Sequence, residues 1–190
     1  MGTIADEVKK CIEVMRAGGV ILYPTDTVWG IGCDATNADA VKKVFEIMKR
    51  CDSKAMLLLV DSADRLARYV GNVPPVAWDL IELSDKPLTI IYDGARNLAP
   101  NLIAEDGSVG IRVTSEMFSK ELCYRFQKAV VSTSANISGE ETPNNFSEIS
   151  PEIIDAVDYV VNYKQLEKGK AKSSSIIKLT ENGTVTIIRP

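Results

Sequence analysis

The chain has 190 residues, of which 45% are hydrophobic and 25% charged, and its formal net charge is −4. That length predicts a single domain spanning residues 1–190, with a core large enough to fold alone. The negative net charge argues against a protein that coats nucleic acid, although it does not exclude a local basic groove. The lack of histidine excludes a Ser-His or Cys-His nucleophile and a histidine-ligated zinc site.

Targeting signals and cysteine spacing indicate the compartment. No apolar run approaches the ~20 residues that span a bilayer, and the N-terminus is acidic and polar, unlike a secretory signal. The cysteines show no metal-ligand spacing such as C-x-x-C; they are Cys11, Cys33, Cys51 and Cys123. We therefore expect a cytoplasmic protein with no membrane association and no protein-bound metal.

The first quarter of the chain predicts a helix, a strand and a second helix. Apolar residues at helical spacing indicate a first helix that ends at Gly18-Gly19. A buried strand over 20–23 leads into the polar segment 24–27, because Pro24 cannot occupy a central strand. Thr36 and Asp39 form a plausible capping pair for the second helix.

The rest of the chain alternates strands with helices before a final hairpin. Strands are expected over 56–60, 88–92, 109–113, 129–131 and 159–161, and helices over 61–69, 74–83 and 115–127. The last of these helices is predicted to bury Met117, Leu122 and Phe126. Asn182-Gly183 between two β-prone runs indicates a hairpin. This alternation predicts an α/β protein with a single twisted, mixed β-sheet flanked by helices.

Polar residues cluster just past several predicted strand ends, where open α/β sheets usually place ligands. The run Thr25-Asp26-Thr27 could bind an ammonium or hydroxyl group, or could simply stabilise a turn. Arg112 lies inside an apolar strand, where an unpaired charge is costly. Its guanidinium suits a carboxylate bidentately, and a structural ion pair is the alternative.

Three further segments carry candidate functional residues, and the first two suit phosphate groups. Arg50 and Lys54 could clamp a polyphosphate, or could satisfy the last carbonyls of a helix. The hydroxyl-rich run over 132–139 could cradle phosphate oxygens, or form a capping turn. Segment 172–175 could simply be the solvated start of a strand, and Arg189 a charge near the end of the sequence. Neither a P-loop nor a G-x-G-x-x-G motif is present.

Taken in order, these segments resemble the YrdC/TsaC family, the threonylcarbamoyl-AMP synthases. Segment 23–30 is similar to the family's Y-P-T-[DE]-[TS]-x-[YFW]-G, and 132–139 to its S-T-S-A-N-x-S-G. Shorter matches are P-L-T at 87–89, G-[VI]-R-[VI] at 110–113 and S-T-[IV]-[IV] at 174–177. Met48 stands where the family has the first lysine of its K-x-R motif, and the neighbouring Lys49 should point about 100° away around the helix.

The resemblance implies a twisted sheet with a concave ligand groove. There, ATP, L-threonine and bicarbonate would form threonylcarbamoyl-AMP and pyrophosphate, with Mg²⁺ carried by ATP. Other proteins would then transfer the group to adenosine 37 of certain tRNAs. By the same resemblance Thr27, Arg112 and Ser132 would hold threonine, with Arg112 on its carboxylate. Residues expected to hold ATP are Arg50, Lys54, Ser108, Ser134, Asn136, Thr142, Ser175 and Arg189, of which Arg50 and Lys54 would be catalytic.

A different class of function also fits the same groove. The basic residues there could serve a non-catalytic relative that binds RNA or a nucleotide, and weak tRNA binding is compatible with either hypothesis. Binding driven by phosphate contacts should weaken steeply with salt. The acidic overall charge favours the synthase.

Overall fold

The computed structural model of the chain describes residues 2–50 and 56–190. In these residues the helices are α1 (Ile4–Arg16), α2 (Ala38–Ile47), α3 (Leu66–Tyr69), α4 (Val76–Leu83), α5 (Met117–Phe126) and α6 (Pro151–Ala156). The strands are β1 (Ile21–Tyr23), β2 (Gly30–Gly32), β3 (Leu57–Val60), β4 (Leu88–Tyr92), β5 (Val109–Val113), β6 (Val130–Ser134), β7 (Tyr159–Val160), β8 (Ser175–Leu179) and β9 (Val185–Arg189).

All these strands join one mixed sheet, as the sequence predicted. Its order is β7-β1-β2-β6-β3-β5-β4-β8-β9. The pairs β1–β7, β3–β5 and β4–β8 are parallel, and the other neighbours are antiparallel. The β8–β9 hairpin turns at Gly183, whose φ of 87° lies in the left-handed region that glycine adopts without strain.

The hydrophobic core lies between the sheet and the packed helices α1 and α5, which contact each other. On α1 the predicted apolar face is buried. On α5 the prediction for Met117 was wrong: this side chain is exposed, and Phe118 is buried with Leu122 and Phe126. Residues four and eight positions after Phe118 share its face of a 3.6-residue helix, whereas Met117 precedes that stripe by about 100°. Within the described ranges, no helix is both long enough and apolar enough to cross a membrane.

The start of α2 differs from the predicted Thr36–Asp39 capping pair. Asn37 is the N-cap, and its Oδ1 accepts hydrogen bonds from the backbone N–H groups of Asp39 and Ala40, both at 3.1 Å. Thr36 instead donates to Asp34 Oδ1 from its hydroxyl, at 2.7 Å, and so belongs to the preceding turn. Two consecutive cap-type residues compete here, and the one that can reach two orphan amides becomes the cap.

We expect Asn37→Ala to lower the free energy of unfolding by about 1 kcal/mol, because two amides of the first turn lose their acceptor. Urea denaturation monitored by circular dichroism measures this change. Asn37→Asp keeps an acceptor oxygen and should remain close to wild type. Equal losses for the two variants would show that the cap hydrogen bonds do not stabilise α2.

Candidate active site

A cavity of about 240 Å³ opens on one face of the sheet. Its polar lining residues are Thr27, Thr89, Arg112, Ser132, Thr133, Ser134, Thr142, Ser173, Ser174 and Arg189. Among the described residues, two arginines line this cavity and no carboxylate does. Its charge and its many hydroxyl donors therefore suit an anionic ligand.

The cavity forms on a sheet face because side chains alternate along each strand. Thr89 pairs with Arg112 and also with Ile176 across neighbouring strands, so these side chains stand on the same face. The intervening Ile90 and Ile111 point the other way, into the core. The expectation of a site just past the strand ends therefore needs correction: much of the site is built from strand interiors. Pairing across the sheet, antiparallel for β4–β5 and parallel for β4–β8, brings these positions together.

Arg112 is held in place on three sides. Its Nε donates to Asp26 Oδ1 at 2.9 Å, one terminal nitrogen donates to Thr27 Oγ1 at 3.1 Å, and the other approaches Thr89 Oγ1 at 3.4 Å. The side chains of Arg112 and Asp26 are only 2% and 5% exposed. A guanidinium has five N–H donors, so two remain after these contacts, one on each terminal nitrogen. Each terminal nitrogen therefore keeps one N–H for a ligand such as a carboxylate.

Hydroxyl groups in the loop after β1 fix Thr27. Thr25 Oγ1 donates to the carbonyl of Val28 at 2.8 Å and accepts from the backbone N–H of Thr27 at 3.1 Å. It also lies 3.2 Å from Thr27 Oγ1. The predicted turn and the predicted binding segment are thus the same structure: Thr25 stabilises the turn, and the turn presents Thr27 to the cavity.

A second chain of contacts joins Arg112 to Arg189. Thr89 Oγ1 lies 2.8 Å from Ser174 Oγ, and both side chains are buried. The backbone carbonyl of Ser174 accepts from Arg189 Nε at 2.9 Å. The two arginines of the cavity are therefore connected through a hydroxyl pair, and a ligand with two anionic groups could contact both.

Burial and ion pairing oppose each other at Asp26. Burial raises the pKa of this carboxyl above its usual range, and the adjacent Arg112 guanidinium counteracts part of that rise. The negative charge of the nearby Glu116 adds a smaller increase to the pKa of Asp26. Glu116 itself lies 3.5 Å from Lys164 Nζ, so both carboxylates have a cationic neighbour.

Known proteins match this chain over most of its length. Residues 13–190 match the family model Sua5_yciO_yrdC, described as telomere recombination. The chain belongs to the Sua5/YciO/YrdC family. It is 32% identical to a threonylcarbamoyl-AMP synthase of Pseudoalteromonas translucida over 92% of this chain and 93% of the relative. A putative threonylcarbamoyl-AMP synthase of Methanocaldococcus jannaschii is also 32% identical, over 96% and 86% of the two chains.

Solved structures share the fold of this Sua5/YciO/YrdC chain. Escherichia coli YciO superposes with a TM-score of 0.83 at 24% identity, covering 100% of this chain and 90% of that one. Pyrococcus abyssi Sua5 complexed with L-threonine gives a TM-score of 0.83 at 21% identity and covers 96% of this chain. The chain spans only 53% of that Sua5 protein's length.

The predicted site residues divide into those that line the cavity and those that do not. Lining residues are Thr27, Arg112, Ser132, Ser134, Thr142 and Arg189. Ser108 lies just before β5, away from the Arg112 end, and its hydroxyl donates to Asp106. Asn136 is buried and its Nδ2 donates to the carbonyls of Ile137 and Glu140. Ser175 is not in the lining, whereas its neighbours Ser174 and Ile176 are. Side chains alternate along a strand, so Ser175 points to the other face of the sheet.

The segment after α2 differs from the family's K-x-R motif at Met48, which replaces the first lysine. Met48 is 4% exposed and packs in the core, and its carbonyl accepts from the backbone N–H of Ser138 at 2.9 Å. Lys49 lies beyond the end of α2, with a left-handed φ of 52°, so the predicted rotation of about 100° around a helix does not describe it. Its Nζ lies 2.6 Å from Glu152 Oε1. Arg50 follows at the edge of the described residues, and Lys54 lies outside them.

The resemblance assigns no role to Thr89, Ser174 or Asp26, although Asp26 belongs to the polar run 25–27. Thr89 and Ser174 stand in segments that resembled family motifs, and that resemblance was the available signal. Asp26 stands between two assigned threonines, but only the structure shows its ion pair with Arg112.

Proposed function

We propose that this chain is an L-threonylcarbamoyladenylate synthase, a nucleotidyltransferase that acts on ATP. The observation that carries the proposal is the buried Arg112, held by three side chains with two N–H donors left for a carboxylate. Support comes from relatives named threonylcarbamoyl-AMP synthase, which match this chain over most of its length. These relatives favour the synthase over a non-catalytic RNA-binding or nucleotide-binding protein.

The reaction is a condensation in two bond-forming steps. The amine of threonine attacks bicarbonate, with loss of water, to form a carbamate. A carbamate oxygen then attacks the α-phosphorus of ATP, and the bond to the β-phosphate breaks to release pyrophosphate. Neither step needs a protein nucleophile, which agrees with the lack of histidine. Alignment of the reactants can supply up to ~7–11 kcal/mol of such a barrier, and fixed cations stabilise the anionic transition state.

The cavity side chains divide between the two substrates. Arg112 would bind the threonine carboxylate, with Thr27 and Ser132 beside it. Ser134, Thr142 and Arg189 would contact the nucleotide. These assignments are supported by the presence of all six side chains in one cavity lining. Contacts of ATP with Arg50, Lys54, Ser108, Asn136 and Ser175 remain predictions.

Magnesium would enter with the nucleotide. The described lining contains hydroxyls and arginines rather than carboxylates, and the described residues contain no cluster of three potential metal-ligating side chains. Mg²⁺ is commonly held by substrate phosphates and water, so this donor set suits an ion carried by ATP.

The wider setting follows from the same proposal. Residues 1–190 would be a single catalytic domain, and the product would pass to proteins that modify adenosine 37 of tRNA. The described cysteines are buried free thiols, which supports a reducing, cytoplasmic compartment.

The test is product analysis by mass spectrometry after incubation with ATP, Mg²⁺, L-threonine and labelled bicarbonate. We expect a labelled threonylcarbamoyl adenylate from wild type and at least a tenfold loss in Gly110→Val. Gly110 lines the cavity, and a Cβ there meets no heavy atom nearer than 3.4 Å. The larger side chain should therefore take up cavity space that the ligand needs. Gly169→Ala, at an open position, is the control. Saturable ATP binding without product would contradict the proposal, and salt-sensitive tRNA binding in addition would favour the RNA-binding alternative.

A further inference from the structure

Asp26 balances the charge of Arg112 from behind the cavity. The two side chains are almost fully buried and meet at 2.9 Å. Thr27 and Arg112 line the cavity, whereas Asp26 is not among its lining residues and lines two neighbouring depressions. Its charge therefore acts on a ligand through Arg112 and low-dielectric protein rather than by direct contact.

Counting charges shows what this pair favours. Arg112 and Asp26 together are neutral. A zwitterionic amino acid adds no net charge to them, so the pair with its bound ligand stays neutral. A carboxylate that lacks an amine adds one negative charge, which is costly to bury. With Arg112 alone the preference would reverse, because a simple carboxylate would then neutralise the site and a zwitterion would leave it positive.

We propose that Asp26 is a specificity-determining residue, which makes the Arg112 pocket select zwitterionic amino acids over carboxylates that have a hydroxyl in place of the amine. The inference rests on the proposed function, because it takes threonine as the ligand of Arg112. Neighbouring charges do not change the comparison between variants. Glu116 is balanced by Lys164 at 3.5 Å, and the second cation of the cavity, Arg189, is present for both ligands and in every variant.

The structure provides a variant that removes the charge and keeps the shape. Asn at position 26 can still accept from Arg112 Nε through its carbonyl oxygen. Its amide nitrogen would replace Asp26 Oδ2, a buried oxygen to which no described residue donates a hydrogen bond. Asp26→Asn therefore adds donors at a place where no hydrogen bond is lost. Asp26→Glu keeps the charge and changes the length.

The experiment is isothermal titration calorimetry at pH 7.5 without bicarbonate, so that no chemistry occurs. The ligands are L-threonine and the 2,3-dihydroxybutanoate of the same configuration, in which a hydroxyl replaces the amine. For each variant the measured quantity is the ratio of the dihydroxybutanoate Kd to the threonine Kd. Circular dichroism verifies that each variant is folded.

We expect Asp26→Asn to lower this ratio at least about tenfold, since charges a few ångströms apart interact strongly even at an effective dielectric near 20. Asp26→Glu should keep the wild-type ratio even if both affinities fall. An unchanged ratio in Asp26→Asn, with both ligands weakened alike, would mean that Asp26 only supports the structure. That result would overturn this inference and leave the proposed function standing. Failure of wild type to bind threonine would overturn the proposed function as well.

Discussion

Arg112→Ala is expected to raise the KM for threonine by more than tenfold in a pyrophosphate-release assay and to change the KM for ATP much less. The reason is geometric: the variant removes the guanidinium that Asp26, Thr27 and Thr89 hold in the cavity. The contacts proposed for ATP involve other strands and loops. A difference between the two KM values therefore separates the carboxylate contact from a general loss of the site.

Arg112→Ala also leaves Asp26 as a buried carboxylate without its partner. Breaking a buried pair in this way costs about 3–5 kcal/mol, so the unfolding midpoint should fall markedly. Arg112→Lys separates stability from function, because it keeps a positive charge near Asp26 but lacks the planar fork. We expect Arg112→Lys to be more stable than Arg112→Ala and still to have a raised KM for threonine. Equal increases in the KM values for threonine and ATP would argue against the assigned contact.

Gly32→Ala is expected to lower the free energy of unfolding by about 3 kcal/mol, at the upper end of the usual range for overpacking. A Cβ at this position would stand 2.5 Å from Tyr23 Cε1 and 2.6 Å from the backbone carbonyl oxygen of Val131. The Tyr23 ring cannot swing away, because it is fully buried and its hydroxyl donates to that same carbonyl at 3.0 Å. Relief therefore requires movement of β6, which carries Ser132 and Ser134.

The measurement is chemical denaturation followed by circular dichroism, with Gly169→Ala as the matched control. A Cβ added at Gly169 would meet no heavy atom of the described residues within 4 Å, and the backbone there is not in the left-handed region. The control should therefore unfold close to the wild-type midpoint. A Gly32→Ala midpoint equal to that of the control would show that β1, β2 and β6 pack more loosely than these distances indicate.

The order of strands and helices was largely predictable because it depends on local periodicity. The final hairpin had Asn182-Gly183 at its turn, and α1 had a regular apolar stripe. Strand β2 was missed because two of its three residues are Gly30 and Gly32, and glycine is poorly represented in strands. What makes this segment a strand is pairing with β1 and β6, a long-range contact that no local pattern records.

The candidate site was predictable in part, and mainly through motif resemblance. Arg112 stood out on physical grounds, because an arginine in an apolar strand needs a partner. Which partner it has depends on bringing together residues 86 positions apart, Asp26 and Arg112. The resemblance points to Ser175, whereas its neighbour Ser174 lines the cavity. A one-residue shift along a strand reverses the side chain's direction, so the resemblance alone could not show that Ser174 contributes.

The two arginines of the cavity stand on elements of unequal local stability. Arg112 belongs to β5, which pairs on both sides, whereas Arg189 belongs to β9, an exposed strand at the end of the sheet that pairs with β8 alone. Strands with few buried contacts open more often than the core. Amide hydrogens of β9 should therefore exchange with solvent through fraying of the hairpin, and those of β5 through global unfolding. Each such opening removes Arg189 from the cavity while Arg112 stays in place. An anion bound to Arg189 should therefore slow hydrogen exchange in the whole β8–β9 hairpin.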